Sequence, residues 1–430
     1  MNHIENQSGQ SVIVNILSLP QFQSLKNPDF KYTWLAGMSS GAAMWTFVIA
    51  TSWIVFNDSS SSTWVGITTF SAMIPFLIIS PIAGLLGDYF DRKKIVIVMF
   101  IVSALMTGFL TILTFRDWIE FWQIAIFAFV NGTVRSIQEP SVTSLIPNQV
   151  PKDHLLNALV LNSATRHGAR FFGLIIAAPL IVLKSTGIVA VLALSTIFQI
   201  CGVLLMSQVK TESTGHVKPE DTLFNNLIAG LSYIYSNYAL GLFIFLVAFH
   251  CALVMSFESI MPVFSIKNLE ADNGSVFNYL MMGFGAGSLL GMIALAGVKT
   301  DSVKGRFLLI TALGSGIAPI LLAISENVNI AIFFSLSMGA FQATFMALTN
   351  TFVQTLAPDR LRARISSLYI FHAGGIMAFA NLGYGFIADI ITAPPTIIVP
   401  ALIYLVLIIA IISGQPIMKN IFNTGRVSIG

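Results

Sequence analysis

The chain has 430 residues, of which 55% are hydrophobic and only 10% charged, and its mean hydropathy is +0.82. Soluble globular proteins carry about 25% charged residues, so this composition excludes that class and defines a polytopic membrane protein. The net charge of +3 gives no basis for a nucleic-acid partner, and Cys201 and Cys251, both in apolar runs without CxxC spacing, suggest neither a disulfide framework nor a metal site.

Residues 1–31 are polar and acid-containing, lack the pattern of a cleaved signal peptide and read as a cytoplasmic segment. Within them, Ile13 to Phe22 reads either as a short interfacial helix or as loosely ordered chain. A spanning helix needs about 20 apolar residues. Runs of that kind fall at 32–56, 63–87, 95–115, 118–142, 156–183 and 187–208, then at 239–264, 274–298, 307–325, 328–355, 362–390 and 394–414. The expected architecture is an all-α membrane protein of twelve spans in two pseudo-symmetric six-helix lobes, 32–208 and 239–414. A cytoplasmic linker, 209–238, joins the lobes, and a cytoplasmic tail, 415–430, follows the second. Asn225 to Tyr238 reads as an amphipathic helix on the membrane surface.

Basic residues set the orientation. Of the 22 lysines and arginines, three fall outside (Arg116, Lys184, Lys267), three lie within spans (Arg135, Arg166, Arg170) and the rest sit in the termini or inside loops. This bias places both termini in the cytoplasm.

Two segments repeat between the halves. PSVTSLIPNQVPKDHLLNAL (Pro140 to Leu159) joins spans 4 and 5, and NTFVQTLAPDRLRARISSL (Asn350 to Leu368) joins spans 10 and 11, each with Pro, Asp and Leu in the same order. The charged hairpin GLLGDYFDRKK, Gly84 to Lys94, has a degenerate echo at Asp301, Lys304 and Arg306. A parallel repeat of this kind implies two similar bundles with a site between them near the midplane.

That hairpin resembles the helix 2–3 signature of the major facilitator superfamily. The segments around Ser141 to Gly173 and Gln354 to Tyr369 look like the corresponding parts of its third drug:proton antiporter family, which includes macrolide, siderophore and lysophospholipid exporters or flippases. The resemblance implies alternating access, a conformational gate at Gly84, Asp88 and Arg92, no cofactor, and export coupled to protons. It also implies a bacterial inner-membrane location. Two departures stand out: Tyr89 replaces the arginine that usually follows the motif's Asp, and span 5 has Gly173-Leu174 where antiporters usually carry Gly-Pro.

Ionisable residues inside a span cost about 2.5–3.5 kcal/mol each on insertion scales, so each suggests a function. Arg135 and Glu139, one turn apart, read either as a structural pair or as a proton site in which Glu139 is released from Arg135. Arg166 and Arg170 have no acid in their own span, and read either as bracing or as the receptor for an anion. Glu258 is the second proton-coupling candidate. His250, Gln342, Asn350 and His372 complete the proposed substrate-binding set, while His250 and His372 also fit the core. The sequence therefore predicts a transporter, not an enzyme, that exports a small amphipathic or anionic compound as a monomer with protons and membrane lipids as its other partners. An energy-independent flippase or facilitator and a cationic-drug exporter are the alternatives.

Overall fold

The structure, a computed structural model, describes residues 20–79, 90–183, 186–212, 231–271, 273–298, 300–358 and 361–425, and every regular element among them is helical. The first half comprises α1 (Pro28–Ser59), α2 (Ser62–Ile78), α3 (Arg92–Phe115), α4 (Phe121–Leu145), α5 (Leu155–Ile181) and α6 (Gly187–Ser207). The second half comprises α7 (Tyr238–His250), α8 (Met261–Lys267), α9 (Ser275–Ala296), α10 (Asp301–Ala323), α11 (Val328–Leu356), α12 (Arg362–Ile391), α13 (Ala393–Gly414) and a short α14 (Pro416–Thr424). Among the described residues each predicted span falls on one helix, except the second, whose residues 80–87 lie outside the described residues, and the seventh, which falls on α7 and α8 together. Among the described residues, nine helices are long and apolar enough to cross a membrane.

Side chains define where the helices begin. The Asp91 carboxylate accepts from Lys94 N at 2.9 Å, Asn237 from Leu240 N at 3.0 Å and Asn327 from Asn329 N at 2.9 Å, each satisfying a first-turn N–H that has no helical partner. The amphipathic piece predicted at 225–238 lies partly outside the described residues; 231–236 are helical. A further surface helix stands where the sequence suggested only a tail. α14 buries Met418 and Ile421 against α10, where Gly305 leaves room for the Ile421 carbonyl.

The seventh span departs from the continuous helix expected over 239–264. After His250 the chain forms a π turn, Cys251–Met255, then an irregular stretch before α8, in which Pro262 has no N–H to continue a ladder. Backbone carbonyls freed in an apolar interior need other donors. Ser256 Oγ donates to Cys251 O at 2.7 Å, Gln342 Nε2 to Val254 O at 2.8 Å and Tyr384 OH to Leu253 O at 3.2 Å.

Packing repeats between the halves. The pairs α2–α4, α3–α4, α3–α6 and α1–α5 of the first half recur as α9–α11, α10–α11, α10–α13 and α7–α12 of the second. Glycines allow the closest approaches at equivalent points: Gly132 of α4 lies against the Ala72 carbonyl of α2, and Gly339 of α11 against the Phe284 carbonyl of α9. The halves meet chiefly along two seams, α2 with α12 and α5 with α9, which exchange under the same repeat.

The core is asymmetric along the bundle. At the end carrying the α1–α2, α5–α6 and α12–α13 turns, called here the far end, one apolar core joins both halves and includes Phe47, Trp53, Ile181, Phe264, Phe277 and Ile397. At the opposite end, which carries the start of α1 and the short α14 and is called here the terminal end, the cores are separate. One holds Phe243, Phe345, Phe352 and Ile408 of the second half, and two smaller ones hold Phe100 with Leu145 and Phe30 with Ile146 of the first. Among the described residues, one apolar core thus joins the halves at the far end, and separate cores serve each half at the terminal end.

Candidate transport site

Arg170 of α5 is held at the α5–α9 seam. Its guanidinium lies between two aromatic faces, 3.8 Å from the Trp45 ring centroid on α1 and 4.3 Å from that of Phe284 on α9. Glu258, in the broken part of the seventh span, places Oε1 3.6 Å from Arg170 Nη2. That nitrogen also contacts the Met281 sulfur at 3.3 Å, while the buried Nε finds no hydrogen-bond partner among the described residues. Close approach at the seam comes from Gly285, where a side chain would press on the Arg170 Cγ. A single cation is therefore embraced by both halves, with its charge balanced at a distance longer than a hydrogen bond and part of its donor capacity unused.

The break in the seventh span is what makes this pairing possible. In a continuous helix Glu258 and His250, about two turns apart, would lie on overlapping faces. The π turn and the irregular stretch instead leave His250 inside the second half and turn Glu258 toward α5. Ser259, its neighbour, is fixed by Asn381 of α12, whose carbonyl accepts from Ser259 Oγ at 2.9 Å.

Arg135 and Glu139 form the expected pair on α4, Nη2 to Oε1 at 2.5 Å, with Arg135 5.5 Å from the Phe76 ring of α2. Both side chains are partly exposed, at 21% and 33%, so they border open space, unlike Arg170.

The other candidates lie elsewhere. His250 is 0% exposed and packs between Phe345 and Tyr404, with ring centroids at 4.7 and 5.6 Å, inside the core of the second half. Gln342 is likewise buried and its amide is committed to the Val254 carbonyl of the π turn. Asn350 pairs with Gln354 at 3.4 Å near the terminal end. His372 bridges the Leu368 carbonyl at 2.7 Å and the Tyr235 hydroxyl at 3.1 Å. Of the gate, Gly84 and Asp88 lie outside the described residues, and Arg92 Nη1 donates to the Ser144 carbonyl of α4 at 3.0 Å. The backbone of Arg166 lies in α5, but its side chain is outside the description.

One acid escaped the sequence reading. Asp389, at the far end of α12, accepts four hydrogen bonds from the start of α2: Ser61 Oγ at 2.6 Å, Ser62 N at 2.7 Å, Thr63 N at 2.9 Å and Thr63 Oγ1 at 2.7 Å. The run Ser59 to Thr63 signals a helix start in the sequence; nothing there says that the carboxylate comes from the other half.

A helical bundle of two repeated halves, with a charged site at the seam between them, defines a multi-pass membrane transporter rather than an enzyme. The family model described as "Transmembrane secretion effector" matches residues 20–421. The chain belongs to that family, an efflux-type branch of the major facilitator superfamily. It is 20% identical over 345 residues to the multidrug efflux pump Tap of Mycolicibacterium fortuitum, covering 77% of this chain and 82% of that protein. Shorter stretches match the staphyloferrin A transporter of Staphylococcus aureus (25% identity, 28% of this chain, 30% of that protein) and the macrolide efflux protein A of Enterococcus faecalis (29%, 19% and 25%). Among solved structures, a D-xylose–proton symporter superposes with a TM-score of 0.71 at 13% identity, over 93% of this chain and 99% of that one. A bacterial homologue of the human lysosomal transporter Spinster, described as inward-facing and unoccupied, gives 0.68 at 13% identity, over 96% and 100%. These likenesses establish the fold.

Proposed function

We propose that the chain exports a small amphipathic compound carrying an anionic group, by alternating access coupled to protons, across a bacterial cytoplasmic membrane. The observation that carries this is Arg170: a buried guanidinium at the seam, flanked by Trp45 and Phe284, with a distant carboxylate and an Nε that has no partner among the described residues. Aromatic walls suit an apolar body, and a cation with unused donors suits an acidic head. Glu258 is the proton-coupling group in this reading: protonation removes its hold on Arg170, and a substrate anion takes its place. The division into lobes at 32–208 and 239–414 follows the repeat, and the bias of basic residues puts the terminal end in the cytoplasm. Among the described residues one apolar core joins the halves at the far end while the cores at the other end are separate, which supports an inward-facing conformer.

The pairing of Glu139 with Arg135 and of Glu258 with Arg170 weighs against a cationic-drug exporter, which needs a carboxylate free to meet its substrate. The same pairing supports a second reading, an energy-independent flippase or facilitator with purely structural ion pairs. Binding discriminates anionic from cationic substrates. A fluorescent lysophospholipid with an anionic headgroup should bind the purified protein and lose about tenfold or more in affinity on Arg170→Gln, the scale of one charged hydrogen bond. A cationic amphiphile of equal chain length that binds more tightly than the anionic one would overturn the substrate assignment.

A further inference from the structure

We infer that Asp389 is the catch that holds the far end of the transporter shut. This rests on the alternating-access reading above and adds to it the residue on which far-end closure turns.

Three observations carry it. First, the partners of the Asp389 carboxylate belong to the opposite half: two backbone N–H groups in the first turn of α2 and the hydroxyls of Ser61 and Thr63. First-turn N–H groups have no partner within their own helix, and the positive end of the helix dipole favours an anion there. Helix starts are normally capped by the residue just before them. Here Ser61 makes only a long contact of 3.4 Å to Trp64 N, and Asp389 supplies the strong cap.

Second, the cap lies where the halves are most tightly pressed. Gly385, one turn before Asp389, faces the Ser62 carbonyl so closely that no side chain fits, and Gly66 lies where a side chain would meet the Asn381 carbonyl at 2.9 Å. Separating the halves at the far end must pull α2 off α12 along this line, and all four hydrogen bonds are then lost together. The turn before α2 is tight, with Ser60 in the left-handed region at φ 52°, so α1 moves with α2.

Third, the same helix reaches the charged site. Asn381, two turns before Asp389, accepts from Ser259, the neighbour of Glu258. The segment carrying Glu258 and the capped start of α2 are thus both fastened to one rigid stretch of α12. A change in the pairing of Glu258 with Arg170 bears directly on the element that carries the catch.

Distance measurements between spin labels test this in nanodiscs, in a Cys201→Ala, Cys251→Ala background. Labels at Asp58→Cys and Lys267→Cys report the far end, and labels at Lys152→Cys and Thr355→Cys report the terminal end. In Asp389→Ala the ratio of long to short far-end distances should rise about fivefold or more, as the loss of an ordinary hydrogen bond or more implies, with a matching shortening at the terminal end. Ser61→Ala combined with Thr63→Val leaves Asp389 in place and should shift both distributions the same way by less, which keeps the test usable if Asp389→Ala folds poorly. Variants that lower the melting temperature but leave both distributions unchanged make Asp389 a local helix cap and overturn the catch alone. A parent protein whose far-end distance stays single under every condition overturns alternating access, and the catch with it.

Discussion

Arg170 and Glu258 face each other across the seam between the two halves, Nη2 to Oε1 at 3.6 Å, one from helix α5 and the other from the broken part of the seventh span. The pair therefore forms only when the halves are together.

Removing one partner of a buried pair leaves an uncompensated charge, at a cost of about 3–5 kcal/mol, whereas removing both costs far less. Arg170→Ala and Glu258→Ala should each lower the melting temperature more than the double variant does. Equal and additive losses in thermal unfolding of the purified protein would mean that the two side chains are not coupled.

The aromatic sandwich is a separate contribution. A desolvated cation–π contact is worth about 2 kcal/mol or more, and Trp45 offers the closer face, at 3.8 Å. Trp45→Leu keeps an apolar side chain but removes the π face. It should weaken binding of the anionic amphiphile by freeing Arg170 from its fixed orientation, and Phe284→Leu should do so less. The affinities of the three proteins, compared by fluorescence titration, check the order.

His250 behaves as core in this structure. Both ring nitrogens are buried without hydrogen-bond partners among the described residues, so replacing the ring by an apolar one of similar shape removes a desolvation cost instead of adding one. His250→Phe should retain transport within about twofold and match or exceed the parent in thermal stability. Loss of transport in a well-folded His250→Phe protein would restore it to the site.

The repeat predicts matched damage. Gly132 and Gly339 occupy equivalent contacts, each against a carbonyl of the neighbouring helix. Gly132→Leu and Gly339→Leu should both push their helix pairs apart and reduce the yield of folded protein severely, measured by size-exclusion profile. Gly374→Leu, at a position with open space, should not.

Much of the fold was legible because a bilayer imposes a length: about 20 apolar residues per helix left few alternatives for the spans. The break in the seventh span was hidden by the same rule, since Cys251 to Phe264 stays apolar enough for a span despite Ser256, Glu258 and Ser259, and Pro262 is the plainest hint of an interruption. Arg135 with Glu139 was readable because both stand on one helix face. Arg170 with Glu258, and Asp389 with the start of α2, were not, because both are contacts between helices far apart in the chain and depend on how two halves dock. His250 looked functional for the same reason: hydropathy marks a polar residue in a span but does not say whether it faces the seam or the interior of one half. α14 was passed over because nine residues are too short for a periodic signal to stand out from a polar tail.

Transport into proteoliposomes with and without a pH gradient tests the central claim, that Glu258 couples proton movement to release of Arg170. The parent should accelerate movement of the anionic lysophospholipid when the gradient is imposed, and Glu258→Gln, which mimics the protonated state, should transport at a rate indifferent to the gradient. A Glu258→Gln protein that still responds to the gradient as the parent does would contradict the account.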